Sequence, residues 1–158
     1  MEIYRRYGPA LLRKCERILR NREDAEDVVQ TLFMDLLNKG KTGVDLPYLY
    51  RAATNRCLNL MRDRRRRLAL LEREQISLAP PPRTGGEERT LELDLVVKLA
   101  ARLDRKSAEI LVYRYFDDMT QDEIAELLHT SRKTVGKRMN KIRQAVLELS
   151  AESDRGAS

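Results

Sequence analysis

Two stretches of the chain concentrate basic side chains at helical spacing. Residues 129–143 carry six lysines and arginines and no acidic residue, and residues 51–67 carry seven arginines against the single acid Asp63. Dense positive charge of this kind attracts polyanions, of which nucleic acid is the most common. Charge alone leaves a second interpretation open, since a basic helix face can serve only to keep a protein soluble.

The stretch from Thr120 to Arg143 has the pattern of a helix-turn-helix. Thr120 and Glu123 have the spacing of a capping box, a short apolar helix and about three turn residues follow, and Ser131 can cap a second helix. In this motif the N-terminal residues of the second helix reach base edges, and later residues hold phosphates. The predicted DNA-binding residues are Ser131, Arg132, Lys133, Thr134, Lys137, Arg138 and Lys141. The alternative is a surface helix in an ordinary bundle.

A second polar face runs along residues 46–67. Amide and guanidinium groups recur there every three or four residues, and Tyr48 extends the same face. Such groups can read base edges, exposed aromatics can stack on unpaired bases, and an arginine run binds phosphates with little sequence preference. The candidate residues are Tyr48, Arg51, Asn55, Asn59, Arg62, Arg64 and Arg65. The alternative is a surface face whose asparagines only fill space or make packing hydrogen bonds.

A third segment, residues 24–37, is acidic and predicts a protein partner. Its apolar residues, which include Leu37, follow helical periodicity, and its polar face carries Glu26, Asp27, Gln30 and Met34. Because DNA repels acidic groups, this face should meet a basic protein surface. The alternative is a solvated first turn, where the helix dipole favours acidic residues.

The elements that carry these groups predict an all-α fold with two small helical domains. Helical periodicity recurs on both sides of a Pro- and Gly-rich segment, and no strand-like alternation is present. We predict a first domain over residues 1–74, a flexible linker over 75–90, a helix-turn-helix domain over 91–150 and a disordered tail over 151–158. In the first helix, Gly8 and Pro9 predict a kink or a restart.

Composition narrows the function classes. The 158 residues include one histidine, two cysteines and no tryptophan. These numbers argue against metal-histidine chemistry, a disulfide framework and a Ser-His-Asp triad, so we expect no catalytic residue, no metal and no cofactor. Adjacent acids such as Asp117 and Asp118 are better explained as turn or cap residues than as metal ligands. No apolar run reaches the roughly 20 residues of a membrane span and no signal peptide is evident, which indicates a cytoplasmic protein.

In this order the three segments resemble bacterial RNA polymerase sigma factors, specifically the extracytoplasmic-function class. Asp24–Gln30 with Phe33 is similar to the helix of region two that docks on the polymerase clamp. Leu49–Asn55 with Asn59 and Arg62 is similar to the helix that recognises and melts the −10 element. Residues 99–147 are similar to region four, which binds the −35 element. The resemblance covers nearly all of residues 3–149.

The resemblance implies a function and partners. The chain is expected to bind core RNA polymerase and promoter DNA, to have no enzymatic activity and no membrane insertion, and an anti-sigma factor is a further candidate partner. The residues implied in polymerase binding are Asp24, Glu26, Asp27, Gln30, Phe33 and Met34. Tyr48 stands where the family often has tryptophan, and Gly136 where lysine or arginine is frequent. The alternative function is a helix-turn-helix regulator that binds duplex DNA without polymerase, and the acidic helix argues against it.

Overall fold

The computed structural model describes residues 2–73 and 87–156, which form seven α-helices and no strand. The all-α class predicted from the sequence is confirmed. The helices are α1 (Glu2–Leu19), α2 (Arg22–Asn38), α3 (Leu46–Arg73), α4 (Glu87–Arg102), α5 (Arg105–Tyr115), α6 (Gln121–Leu127) and α7 (Arg132–Gly156). The chain divides into two compact units, Met1–Leu60 and Met61–Ser158, so the division falls inside α3.

In the first unit, α1 packs against α2, and the first half of α3 adds a third apolar stripe to the core. The fully buried side chains include Leu11, Cys15 and Ile18 of α1 and Leu49, Ala53 and Cys57 of α3. Both cysteines are buried in this core and neither forms a disulfide.

Two polar contacts fix the orientation of α3 in this unit. Lys14 is fully buried, and its ammonium lies 3.8 Å from the ring centroid of Tyr50. Arg56 donates to Asp35 of α2 across 2.6 Å. A desolvated cation–π contact is worth about 2 kcal/mol. Because Tyr50 contacts α1 and Arg56 contacts α2, the opposite face of α3 is turned toward solvent.

The helix α1 continues through Pro9, so the predicted restart does not occur. Proline removes one backbone hydrogen bond of the helix interior. The residues that follow it, Leu11 and Cys15, are completely buried. Their burial holds the two halves of α1 in a single helix.

The second unit has its core between α5 and its neighbours α4, α6 and α7. Capping residues set where its helices begin. Asp104 accepts the backbone N–H of Ser107 at the start of α5, and the capping box of Thr120 and Glu123 opens α6. The capping box was predicted from the sequence and is confirmed. The backbone of His129, between α6 and α7, has a positive φ of 52°.

The helix ends differ from the sequence prediction in two places. The helix α4 begins at Glu87, inside the predicted linker, because adjacent glutamates suit a first helical turn; residues 75–86 of that linker lie outside the described residues. The helix α7 continues to Gly156, where a disordered tail was predicted from residue 151. Glu152 forms a two-point ion pair with Arg102 of α4, which anchors this last part of the helix.

Candidate nucleic-acid interface

The helix-turn-helix is built by α6, the turn at residues 128–131 and the start of α7. Ser131 accepts the backbone N–H of Thr134 at 3.1 Å, and the two side-chain hydroxyls lie 2.9 Å apart. At the other end of the motif, Glu123 accepts the backbone N–H of Thr120 at 3.1 Å. Hydrogen bonds from the Thr120 backbone and side chain lower the pKa of the Glu123 carboxyl. The motif is therefore closed by local hydrogen bonds at both helix starts.

The start of α6 and the outer face of α7 line an open groove with no acidic side chain in its lining. The lining residues are Gln121, Arg132, Lys133, Gly136, Lys137, Met139, Asn140 and Arg143. Arg132, Lys133 and Lys137 belong to the predicted DNA-binding set, and the structure brings them together on this surface. Lys133 and Lys137 are exposed and form no ion pair with other described residues.

Sequence reasoning missed three polar residues of the groove. Asn140 follows Lys133 by seven positions and Arg143 follows Asn140 by three, so the helical repeat alone could have placed them on this face. The side chain of Arg143 donates to Asn140 across 2.9 Å. Gln121 comes from a different helix, and no spacing within α7 could have indicated it.

Gly136 of α7 lies beside Gln121 of α6. A Cβ atom at this position would lie 3.1 Å from Nε2 of Gln121, closer than ordinary van der Waals contact. Glycine inside a helix costs about 1 kcal/mol relative to alanine. The contact with Gln121 supplies a physical reason for this residue, which the sequence alone did not explain.

Arg138 and Lys141, which were predicted to hold phosphates, lie away from the groove. Arg138 forms an ion pair with Asp104 and donates to the Ser107 hydroxyl at 3.4 Å, so its guanidinium joins α7 to the start of α5. Burial raises the pKa of Asp104, but the Ser107 hydrogen bonds and the charges of Arg138 and Lys141 outweigh this and leave the pKa lowered. The geometry makes Arg138 a structural tether and places Lys141 on the same flank.

The outer face of α3 presents only part of the second predicted set. Tyr48 is 43% exposed, and its hydroxyl accepts from Lys41 at 3.2 Å. Asn59 is exposed, whereas the side chain of Asn55 is half-buried and donates to the backbone carbonyl of Arg51 at 3.0 Å. That bond engages one of the two amide donors of Asn55.

Two of the predicted arginines at the end of α3 contact the backbone of α4. Arg62 and Arg65 donate to the backbone carbonyls of Ala100 and Lys98 at 3.4 and 3.5 Å, near the end of α4. Carbonyls at a helix C-terminus attract cations. These contacts explain why the compact units divide inside α3, although the sequence assigned residues 1–74 to one domain. Arg64 is exposed.

The face of α2 that was predicted to bind polymerase is exposed at three of its six predicted residues. Asp27 and Gln30 are exposed, Asp24 and Glu26 are half-buried, and Met34 is 60% exposed. Phe33 is buried instead, with its ring 5.1 Å from that of Tyr4, so it supports the face from behind. Leu37, which periodicity assigned to the core, is 56% exposed and extends the apolar part of this surface.

Comparison with known proteins identifies the family. Residues 3–67 match the family described as Sigma-70 region 2, and residues 93–146 match Sigma-70, region 4. The RNA polymerase sigma factor NccH of Alcaligenes xylosoxydans xylosoxydans is 29% identical over 160 residues, covering 94% of this chain and 84% of that protein. The chain belongs to the sigma-70 family.

A solved structure shows the same fold. The sigma factor RpoE of Bartonella quintana, determined in complex with the anti-sigma factor NepR, superposes with a TM-score of 0.50 and 20% identity. The match covers 90% of this chain and 91% of that one. The two family matches and the likeness to NccH, rather than this shared fold, make the protein an RNA polymerase sigma factor of the extracytoplasmic-function type, whose partners are core RNA polymerase and promoter DNA. Within the described residues, no helix has the length and apolar character that crossing a membrane requires.

Proposed function

We propose that this sigma factor holds the −35 element in the groove between α6 and α7. The observation that carries the proposal is the acid-free lining of that groove, in which Arg132, Lys133 and Lys137 lie together. Arg132 and Lys133 occupy the first turn of α7, the part of a recognition helix that meets base edges. Lys137 lies one turn later, where a charge holds the phosphate backbone. Arg138 serves as a tether in this arrangement.

The exposed face of α3 is proposed to contact the −10 element. Tyr48 offers a ring for stacking on an unpaired base, with the ammonium of Lys41 5.2 Å from the ring centroid. Arg51, Asn55 and Asn59 continue along the helix, and Arg64 supplies a phosphate contact. Arg62 and Arg65 would add phosphate contacts after leaving the carbonyls at the end of α4.

The acidic face of α2 is proposed to bind core polymerase. Asp27, Gln30 and Met34 are its exposed members, and Leu37 widens the apolar contact. The protein acts in the cytoplasm, where polymerase and promoter meet, and contributes binding energy to initiation without a catalytic residue of its own. Likeness to RpoE, which was solved with the anti-sigma factor NepR, supports an anti-sigma factor as a regulatory partner.

Promoter binding by the reconstituted holoenzyme tests the assignment of α7. Arg132→Ala should weaken binding to the preferred −35 sequence by about 1–3 kcal/mol and reduce discrimination at one or two base positions. Lys137→Ala should weaken binding to all sequences alike and reduce the slope of affinity against salt by about one unit. A uniform loss with a reduced slope for Arg132→Ala would show that this residue is instead a phosphate contact.

A further inference from the structure

The contact between Gly136 and Gln121 joins the recognition helix to the helix before it. A Cβ atom at residue 136 would lie 3.1 Å from Gln121 Nε2, so an alanine there would displace the Gln121 amide by a few tenths of an ångström. The amide is the end of a flexible side chain and can move at little cost. Glycine at 136 is therefore not needed to let the helices pack; what it allows is one particular position of the Gln121 amide.

That position gives the amide a place on the candidate DNA surface. Gln121 is half-buried and lines the groove together with Arg132, Lys133 and Lys137. Among the described residues, its side-chain amide has no hydrogen-bond partner. A glutamine amide carries two donors and an acceptor, so the groove wall formed by α6 presents hydrogen-bonding groups that the folded protein leaves unused.

A neighbouring ion pair holds the same part of α6 against α7. Arg132 Nε lies 3.7 Å from a carboxylate oxygen of Asp122, the residue after Gln121. The carboxylate of Asp122, which would repel DNA at this edge, is thereby opposed by the positive charge of Arg132. In a helix-turn-helix the first helix crosses the DNA backbone, and glutamine side chains are common phosphate partners.

We propose that Gln121 is a further DNA-contact residue, which donates from its amide to a phosphate beside the −35 element. Gly136 is its positioning residue, because the missing Cβ leaves the amide in the groove. The proposal rests on the proposed function of α7. It assigns a DNA contact to α6 and gives a role to a glycine that stands where lysine or arginine is frequent in the family.

A double-mutant cycle in the holoenzyme tests this coupling. Gln121→Ala, Gly136→Ala and the double variant are measured for binding to a set of −35 variants over a range of salt. Gln144→Ala is the matched control, since Gln144 is an exposed glutamine of α7 that contacts Glu148 and lies outside the groove. Thermal melts check folding, and Gly136→Ala should not lower the melting temperature because alanine favours helix.

The expected result has three parts. Gln121→Ala weakens binding about ten- to a hundredfold on every −35 variant, as loss of one hydrogen bond to a charged group predicts. The salt slope stays unchanged because no charge is removed. Gly136→Ala causes a smaller loss than Gln121→Ala, because the amide shifts by only a few tenths of an ångström. It causes no further loss when residue 121 is alanine, and Gln144→Ala changes nothing.

Three results would overturn the proposal: unchanged binding for Gln121→Ala, equal losses for Gly136→Ala in both backgrounds, or a loss confined to one −35 base variant. The Lys137→Ala variant shows whether such a result means that the role of Gln121 is wrong or that the groove does not bind DNA. If Lys137→Ala weakens binding with a shallower salt slope, the groove is the DNA surface and only the role of Gln121 is wrong. If Lys137→Ala also has no effect, the assignment of the groove fails.

Discussion

Individual basic residues of α7 divide into two roles that their sequence did not separate. Arg132, Lys133 and Lys137 line the groove, whereas Arg138 is turned toward Asp104 and Ser107. Residue type and helical spacing could predict a basic helix, because every one of these side chains is cationic. They could not predict Arg138 as a tether, since its partner lies 34 positions earlier in the chain.

The tether makes a prediction about stability. Arg138→Ala should lower the free energy of unfolding by about 1 kcal/mol, because a partly exposed, hydrogen-bonded ion pair is lost. The salt slope of promoter binding should stay unchanged. Urea denaturation together with binding titrations measures both quantities. Lys137→Ala is the comparison variant and should leave the free energy of unfolding unchanged while making the salt slope of promoter binding shallower. A shallower salt slope for Arg138→Ala, at unchanged stability, would contradict the role of Arg138 as a tether.

At the scale of elements, capping residues were the most predictable feature. Thr120 and Ser131 were recognised from local sequence because an N-cap and its partner lie within three residues of one another. The ends of α4 and α7 were less predictable. The ion pair of Arg102 with Glu152 joins residues 50 positions apart, and no local pattern indicates that such a pair extends a helix.

The cap of α5 also predicts a pH dependence. The pKa of Asp104 is lowered in the folded state, so its ionised form contributes stability that is present above the ordinary carboxyl pKa near 4 and lost as pH falls through the lowered value. Asp104→Asn keeps a capping side chain but carries no charge. Denaturation between about pH 5 and pH 2 should show a smaller loss of stability in Asp104→Asn than in the wild type. Parallel curves for the two proteins would contradict this role.

The acidic helix α2 predicts a separation between folding and polymerase binding. Asp27→Lys combined with Gln30→Ala changes two exposed side chains, so stability should change by only about 0.5 kcal/mol for each. Binding to core polymerase should weaken, because the charge of the face is reversed. Pull-down and titration with core polymerase measure this. Glu2→Lys at the exposed start of α1 makes the same kind of charge change as a control and should bind normally; undiminished binding by the folded double variant would show that α2 docks elsewhere or not at all.

Across the whole molecule, composition and periodicity were enough to predict an all-α protein with a helix-turn-helix near its C-terminus. The candidate surfaces were predicted as helix faces, and most of their members lie where the helical repeat places them. What the sequence could not show were contacts between distant segments. Arg62 and Arg65 bind backbone carbonyls of α4, Leu37 lies on the surface, and Gln121 enters the groove from a second helix.

The most direct test of the central claim is transcription by purified core RNA polymerase, with and without this chain, on a library of promoter fragments. Promoter-specific transcripts are expected only when the chain is present. The Asp27→Lys, Gln30→Ala variant should reduce all of these transcripts, whereas Arg132→Ala should reduce them according to their −35 sequence. Core polymerase that gives the same transcripts with and without the chain, while the chain alone binds duplex DNA, would contradict the account and favour a stand-alone regulator.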